Sequence, residues 1–194
     1  MREPAYTRRD VDERRRQLLE LGARLFTTHS YTELSMARIA GEAGISKALL
    51  YHYFPSKQDF FRATLAQAAD ELQERIAPTP GLSASAQLEA SLDAYLAWVE
   101  DHGQAYEKLL RTSLEVEEVR GLVEEQRERF AARILAGLGV RDAASRTAVR
   151  GWLWSIDGVC LDWIGHRDLS RAQVHGILHG TLLGALGGAA DGAS

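Results

Sequence analysis

The chain has 194 residues, 45% of them hydrophobic and 26% charged, with a formal net charge of −4. A chain of this size hides about 70% of its unfolded surface and needs neither disulfides nor metal to fold, and its apolar content excludes a disordered chain. Its single cysteine, Cys160, excludes a disulfide scaffold or multi-cysteine zinc site and suits a reducing cytoplasm.

No apolar run approaches the ~18 residues of a membrane span, and the polar opening MREPAYTRRD leads us to expect no signal peptide. Charge is unevenly spread: residues 1–60 carry 10 Lys+Arg against 8 Asp+Glu, and the remainder 13 against 19. A mildly basic head on an acidic body directs any polyanionic partner to the head.

In chain order, the first helix is expected to start at Asp10, with Glu13 at capping-box spacing. Leu18, Gly22, Leu25 and Phe26 form its inner stripe, and Arg14, Arg15 and Arg16 open the exposed side. Ser35 caps a second helix carrying Met36, Ile39, Ala40 and Ala43, which Gly44 ends. Ser46 caps a very short third helix, Lys47 to Tyr53, stopped by Phe54-Pro55. Ser56 with Asp59 starts a fourth that runs to about Arg75.

Ala77-Pro78-Thr79-Pro80-Gly81 is a breaker cluster and the expected linker. No proline follows it, β-branched residues are sparse, and helical periodicity continues to the end. Ser83 or Ser85 precedes a helix through Leu88, Leu92, Tyr95, Leu96 and Val99. Further segments run from about Gln104 to Thr112 and from about Val116 to Leu138. Asp142 caps a helix with Val149, Trp152, Ile156, Cys160 and Trp163, and Ser170 starts a last one with Val174, Ile177, Leu178, Thr181, Leu182 and Ala185 on one face. The expectation is an all-α chain of about nine helices, divided into residues 1–76 and 77–194.

Two short helices around the turn at Gly44 have the dimensions of a helix-turn-helix. The second can enter a DNA major groove, where base edges carry a distinguishing pattern of donors and acceptors. It would present Lys47, Ala48, Tyr51 and His52 outward while Leu50 and Phe54 anchor it. Ser35 and Ser46 sit at helix starts, where the positive dipole end favours phosphate, and Lys57 can reach a further phosphate.

The run from Tyr31 to Lys57, with Ile39-Ala40, Ala43-Gly44-Ile45-Ser46 and Leu50-Tyr51-His52-Tyr53-Phe54 at its heart, resembles the DNA-binding signature of TetR/AcrR-type transcriptional regulators. Gln17 to Phe26 resembles that family's first helix, and the likeness covers about residues 14–66. It implies a three-helix DNA-binding head and a C-terminal helical body that binds a ligand and dimerises. In the head, Ser35 and Ser46 would hold phosphates, and Lys47 and Ala48 would face the groove. Tyr51 and His52 would contact backbone or bases, Tyr53 would pack or touch phosphate, and Lys57 would clamp the backbone. Ala48 stands where the family often has Gly, and Leu49 where a small or hydroxylated residue is common. Leu49 either reads a thymine methyl or packs. Arg2, Arg8 and Arg9, among the first nine residues, form either an arm on the DNA or a disordered basic terminus.

In the body, the last two helices carry long apolar stripes, and Gly184, Ala185, Gly187 and Gly188 permit close approach. They are the expected homodimer interface. Tyr95, Trp98, Tyr106, Phe130, Trp152 and Trp154, with Asp157, suit a pocket for a small-molecule effector; aromatics at this spacing also build ordinary core, and both readings stand here.

His175 and His179 stand at metal-sharing spacing, but without the Glu of HExxH. No nucleophile elbow or phosphate loop is present. Neither enzyme activity, cofactor nor metal is expected. The sequence predicts a cytoplasmic, homodimeric, ligand-responsive regulator, most simply a repressor released from a near-palindromic operator by its effector. A ligand-independent architectural DNA-binding protein and a metal-dependent enzyme on the His175/His179 pair are the alternatives.

Overall fold

The computed structural model describes residues 8–77 and 79–191. Arg2, the side chains of Arg8, Arg9 and Asp10, and Pro78 lie outside the described residues. Within them the chain forms nine helices and no strand, in two compact units, Met1–Asp70 and Glu71–Ser194. The division falls inside a helix, upstream of the proline cluster.

The first unit holds α1 (Arg8–Thr28), α2 (Met36–Glu42), α3 (Lys47–Tyr53) and the beginning of α4 (Lys57–Arg75). α1 extends back to Arg8, so Asp10 lies in its first turn instead of preceding it. Glu13 turns its carboxylate forward to Arg16 and Gln17. The turn into α2 carries a reciprocal box that the spacing of Ser35 alone did not reveal: the Ser30 amide donates to Glu33 at 2.7 Å, and the Glu33 amide to Ser30 Oγ at 3.3 Å. Leu18, Leu25, Ile39, Leu50, Phe54 and Phe60 meet in one core, joined by Leu19 and Leu34. Gly44 adopts φ +64°, the left-handed conformation that glycine takes without a Cβ penalty, and this sets the turn between α2 and α3.

The second unit holds α5 (Ala84–Asp101), α6 (Gly103–Glu115), α7 (Glu117–Leu138), α8 (Ala143–His166) and α9 (Arg171–Asp191). Ser83, not Ser85, caps α5 by accepting the Ala86 amide, and Asp142 caps α8 by accepting that of Ser145. The Asp142 backbone contact holds its carboxyl below the usual range because the free amides of a helix start favour the anion. α8 packs against α7 and α9, α5 against α9, and α6 against α7. The indole of Trp152 donates to the Leu178 carbonyl at 2.8 Å and that of Trp163 to Leu169 at 2.9 Å, so each buried ring satisfies its polar atom. On α9 the buried row is Val174, Leu178 and Leu182, whereas Ile177 is 47% exposed and Thr181 is also exposed. The inner stripe is therefore narrower than its hydrophobic pattern suggests. No helix among the described residues is long and apolar enough to cross a membrane.

Gly22 lies at a close contact of α1 with α4. A Cβ there would stand 2.6 Å from Thr64 Oγ1 and 2.8 Å from Phe60 Cζ. Gly22→Ala should therefore destabilise the protein by about 1–3 kcal/mol despite alanine's better helix propensity, read as a lower midpoint in chemical denaturation.

Candidate functional site

α3 has only seven residues, too few to be stable alone. It is held by its cap, Ser46 Oγ accepting the Leu49 amide at 3.1 Å, and by the amide of Phe54 closing onto the Leu50 carbonyl. It is also held by two inward side chains. Leu50 is fully buried, and Phe54 sits edge-on to Phe60 with centroids 5.0 Å apart. This fixes which residues face away. Lys47, Ala48, Leu49, Tyr51 and His52 are all exposed, with the Lys47 ammonium 5.7 Å from the Tyr51 ring centroid. Leu49 is 37% exposed, so part of its side chain faces outward. Tyr53 is half-buried against the head core.

Ser35 Oγ caps α2 by accepting the Arg38 amide at 3.2 Å, which leaves its hydroxyl proton free to be donated. Arg38 itself reaches His29 at 2.6 Å. Lys57 donates to the Tyr31 carbonyl at 3.0 Å and lies 4.1 Å from that residue's ring centroid. It ties the start of α4 to the turn before α2. The structure thus brings Lys47, Ala48, Tyr51 and His52 onto one exposed face of α3 and places Ser35, Ser46 and Lys57 at helix starts of the same unit.

The second unit contains a polar group in its interior. The Tyr95 and Tyr106 hydroxyls are 3.0 Å apart, and Tyr106 donates to Asp157 Oδ1 at 2.7 Å. Asp157 Oδ2 accepts from Arg127 Nε at 2.9 Å and from Nη2 of the same guanidinium. Arg127 Nη1 holds Glu124 at 2.7 Å, and its guanidinium carbon stands 4.1 Å from the Trp154 ring centroid. Burial pushes both tyrosine hydroxyls well above their ordinary pKa, so they remain neutral donors.

Trp98 stacks on His102 and lies edge-on to Tyr106. Trp152 serves the α8–α9 contact, and Phe130 is half-buried on α7. Arg127 and Glu124 were missed in the sequence, where the i, i+3 pair reads as an ordinary helix-surface couple. His175 and His179 stack with centroids 5.9 Å apart, and His175 Nε2 donates to the Glu89 carbonyl. Among the described residues no group of three or more His, Cys, Asp or Glu could hold a metal ion.

With this geometry in place, comparison with known proteins identifies the class. The family described as bacterial regulatory proteins, tetR family, matches residues 18–64, and the tetracyclin repressor-like C-terminal domain matches residues 84–183. A TetR-family transcriptional regulator from Streptomyces coelicolor superimposes with a TM-score of 0.75 at 30% identity, over 93% of this chain and 83% of that one.

The chain belongs to the TetR family of bacterial regulatory proteins. Among curated relatives, the HTH-type transcriptional activator FasR of Mycolicibacterium smegmatis is 34% identical over 97 residues, 49% of this chain and 44% of that protein. The regulator BetI of Rhizobium meliloti is 29% identical over 162 residues, 75% of each. The match to FasR and that to the nucleoid occlusion factor SlmA of Haemophilus influenzae, at 34% of its length, each span less than half of the relative.

Cys160 lies fully buried on α8, and burial beside Asp157 raises its thiol to about 12. The thiolate is the reactive form. Alkylation of the native protein by iodoacetamide at pH 8 should therefore run about a thousandfold slower than in denaturant, with mass spectrometry counting the adduct.

Proposed function

We propose that this regulator is a cytoplasmic homodimer that represses transcription from a near-palindromic operator and leaves it when a small molecule binds the body. Residues 1–76 form the DNA-binding part and 77–194 the sensing and dimerising part. The observation that carries the reading is the outward set of α3. A seven-residue helix buries Leu50 completely and leaves Lys47, Ala48, Tyr51 and His52 exposed on one side. Lys47 reads base edges, Tyr51 and His52 contact bases or backbone, and Tyr53 supports them. Ser35, Ser46 and Lys57 bind phosphates, positioning the head without specifying sequence.

Two such heads fit half-sites about 34–36 Å apart, which requires a partner subunit. Support for pairing through α8 and α9 comes from what these helices leave uncovered. On α9, Ile177 and Leu183 are 47% and 51% exposed, and Gly176, Gly180, Gly184 and Gly187 have open space where a Cβ would stand; on α8, Gly151, Gly158 and Gly165 repeat at heptad spacing with the same openness. Effector contact falls to the aromatic and acidic set of the body: Tyr95, Trp98, Tyr106, Phe130, Trp152, Trp154 and Asp157. Because α4 runs from Lys57 through Arg75, it carries residues of both units and serves as the lever. DNA and effector affinities are then reciprocally linked.

Lys47→Ala should cost about 1–3 kcal/mol per half-site and relax base preference. Lys57→Ala should instead weaken binding to every duplex alike and lower the salt slope by about one per phosphate lost. Selection from random duplexes followed by salt titration reads both. Unchanged affinity in both variants would show that the contact face is wrong. Operator binding indifferent to every small molecule tried would mark a ligand-independent architectural protein, and a reporter gene distinguishes repression from the activation named for FasR.

A further inference from the structure

The interior polar group of the second unit has a composition that points to a class of effector. It contains two carboxylates, Asp157 and Glu124, and one guanidinium, Arg127, leaving one negative charge in surplus. The guanidinium makes the contacts that bind organic cations in general: a two-pronged contact with a carboxylate and a place over an indole face, 4.1 Å from its centroid. An aromatic face with an adjacent anion is the standard receptor for such cations. We propose that Trp154 and Asp157 form a binding site for the cationic head of a small organic guanidinium or ammonium compound, a site that Arg127 fills in the free protein. The inference deepens the effector reading given above and rests on it for its use in regulation.

Three features make the exchange feasible for a cation and not for an anion. Arg127 contacts Glu124 through Nη1, a different nitrogen from the two that hold Asp157. Glu124 lies one turn earlier on the same helix, so Arg127 can leave Asp157 and remain paired. Asp157 keeps the Tyr106 hydroxyl, which Tyr95 backs, but needs a positive charge in place of the one it loses. An entering anion would have to take Arg127 from two carboxylates and would leave Asp157 with a single neutral donor. Arg127 and Asp157 keep 15% and 18% of their side-chain surface exposed, while Glu124, at 35%, marks the edge that solvent reaches.

The test vacates the site. Arg127→Ala, and Arg127→Gln as a second variant whose amide still offers Asp157 a donor, are titrated by calorimetry in the full-length protein. Methylguanidinium chloride is compared with sodium chloride and sodium acetate at equal ionic strength, with helix content as the folding control. A folded variant is expected to bind methylguanidinium saturably and about tenfold more tightly than the unaltered protein, and adding Trp154→Leu should remove the gain. Equal or weaker binding in a folded variant, or preference for acetate, overturns the proposal.

Trp154 is 56% exposed, so replacing it spares the core and gives a test without touching Arg127. A saturable change in tryptophan emission with methylguanidinium should occur in the unaltered protein and vanish in Trp154→Leu; its persistence there would equally overturn the site. Operator retention is followed in the same solutions. Cation binding without loss of DNA affinity keeps the site and removes its role in regulation. DNA release by other compounds, with no cation bound, keeps ligand-responsive regulation and overturns the cation site.

Discussion

The outward face of α3 depends on the burial of Leu50 and Phe54. A helix of seven residues has too few internal hydrogen bonds to offset its nucleation, so α3 exists only because these two side chains are locked into the head core and Ser46 closes its first turn. Fully burying a leucine contributes about 1.5–3 kcal/mol, more than the cap alone supplies. The same two anchors decide the rotation of the helix about its axis, and therefore which residues point outward. The proposed DNA contact is thus a consequence of apolar packing: altering the core that holds Leu50 would turn the outward residues of α3 without changing any of them.

The body is organised differently. Its α8–α9 contact is mainly apolar, with Val149, Trp152, Val174, Leu178 and Leu182 buried on the two helices and the Trp152 indole satisfied across the seam. Where α5, α6, α7 and α8 converge, the contact is instead a chain of hydroxyls, carboxylates and one guanidinium. Half-buried ionic groups contribute little net stability against a packed apolar alternative, because desolvation offsets much of their attraction. Their geometry is nonetheless specific, and the loss of one member affects the others. The body thus combines an apolar seam with a polar junction whose partners the proposed cation would exchange.

What was legible in the sequence followed from local physics. Ser35, Ser46 and Asp142 were readable as caps because a cap needs only its own next three residues, and the Gly44 turn because only glycine takes that φ freely. Long helices declared themselves through period and the absence of proline. Apart from the start of α1, which lies two residues before Asp10, the misplaced positions required knowledge of a neighbour. Ile177 and Thr181 share the helical spacing of Val174 and Leu178, yet they face away because α8 and α5 cover only one side of α9. The choice between Ser83 and Ser85 turned on one amide. Arg127 was invisible as a site residue because Asp157 is 30 positions away, and nothing within α7 distinguishes it from the Arg129–Glu125 couple beside it.

That last residue also constrains how a body of this kind can answer a ligand. A small cation in the place of Arg127 would meet the same carboxylate and the same ring, so the exchange releases little free energy by itself. A ligand shifts an equilibrium only by its differential affinity for the two states. The difference must come from connectivity. Arg127 is covalently part of α7 while Asp157 and Trp154 belong to α8, so the native contact ties two helices together, and a free cation satisfies α8 while untying α7. Couplings of about 1–3 kcal/mol are typical of allosteric regulation, the scale of one charge-assisted contact made or lost. A single inter-helix arginine is therefore of sufficient size to account for the ligand response proposed above, with no need for the apolar seam to move.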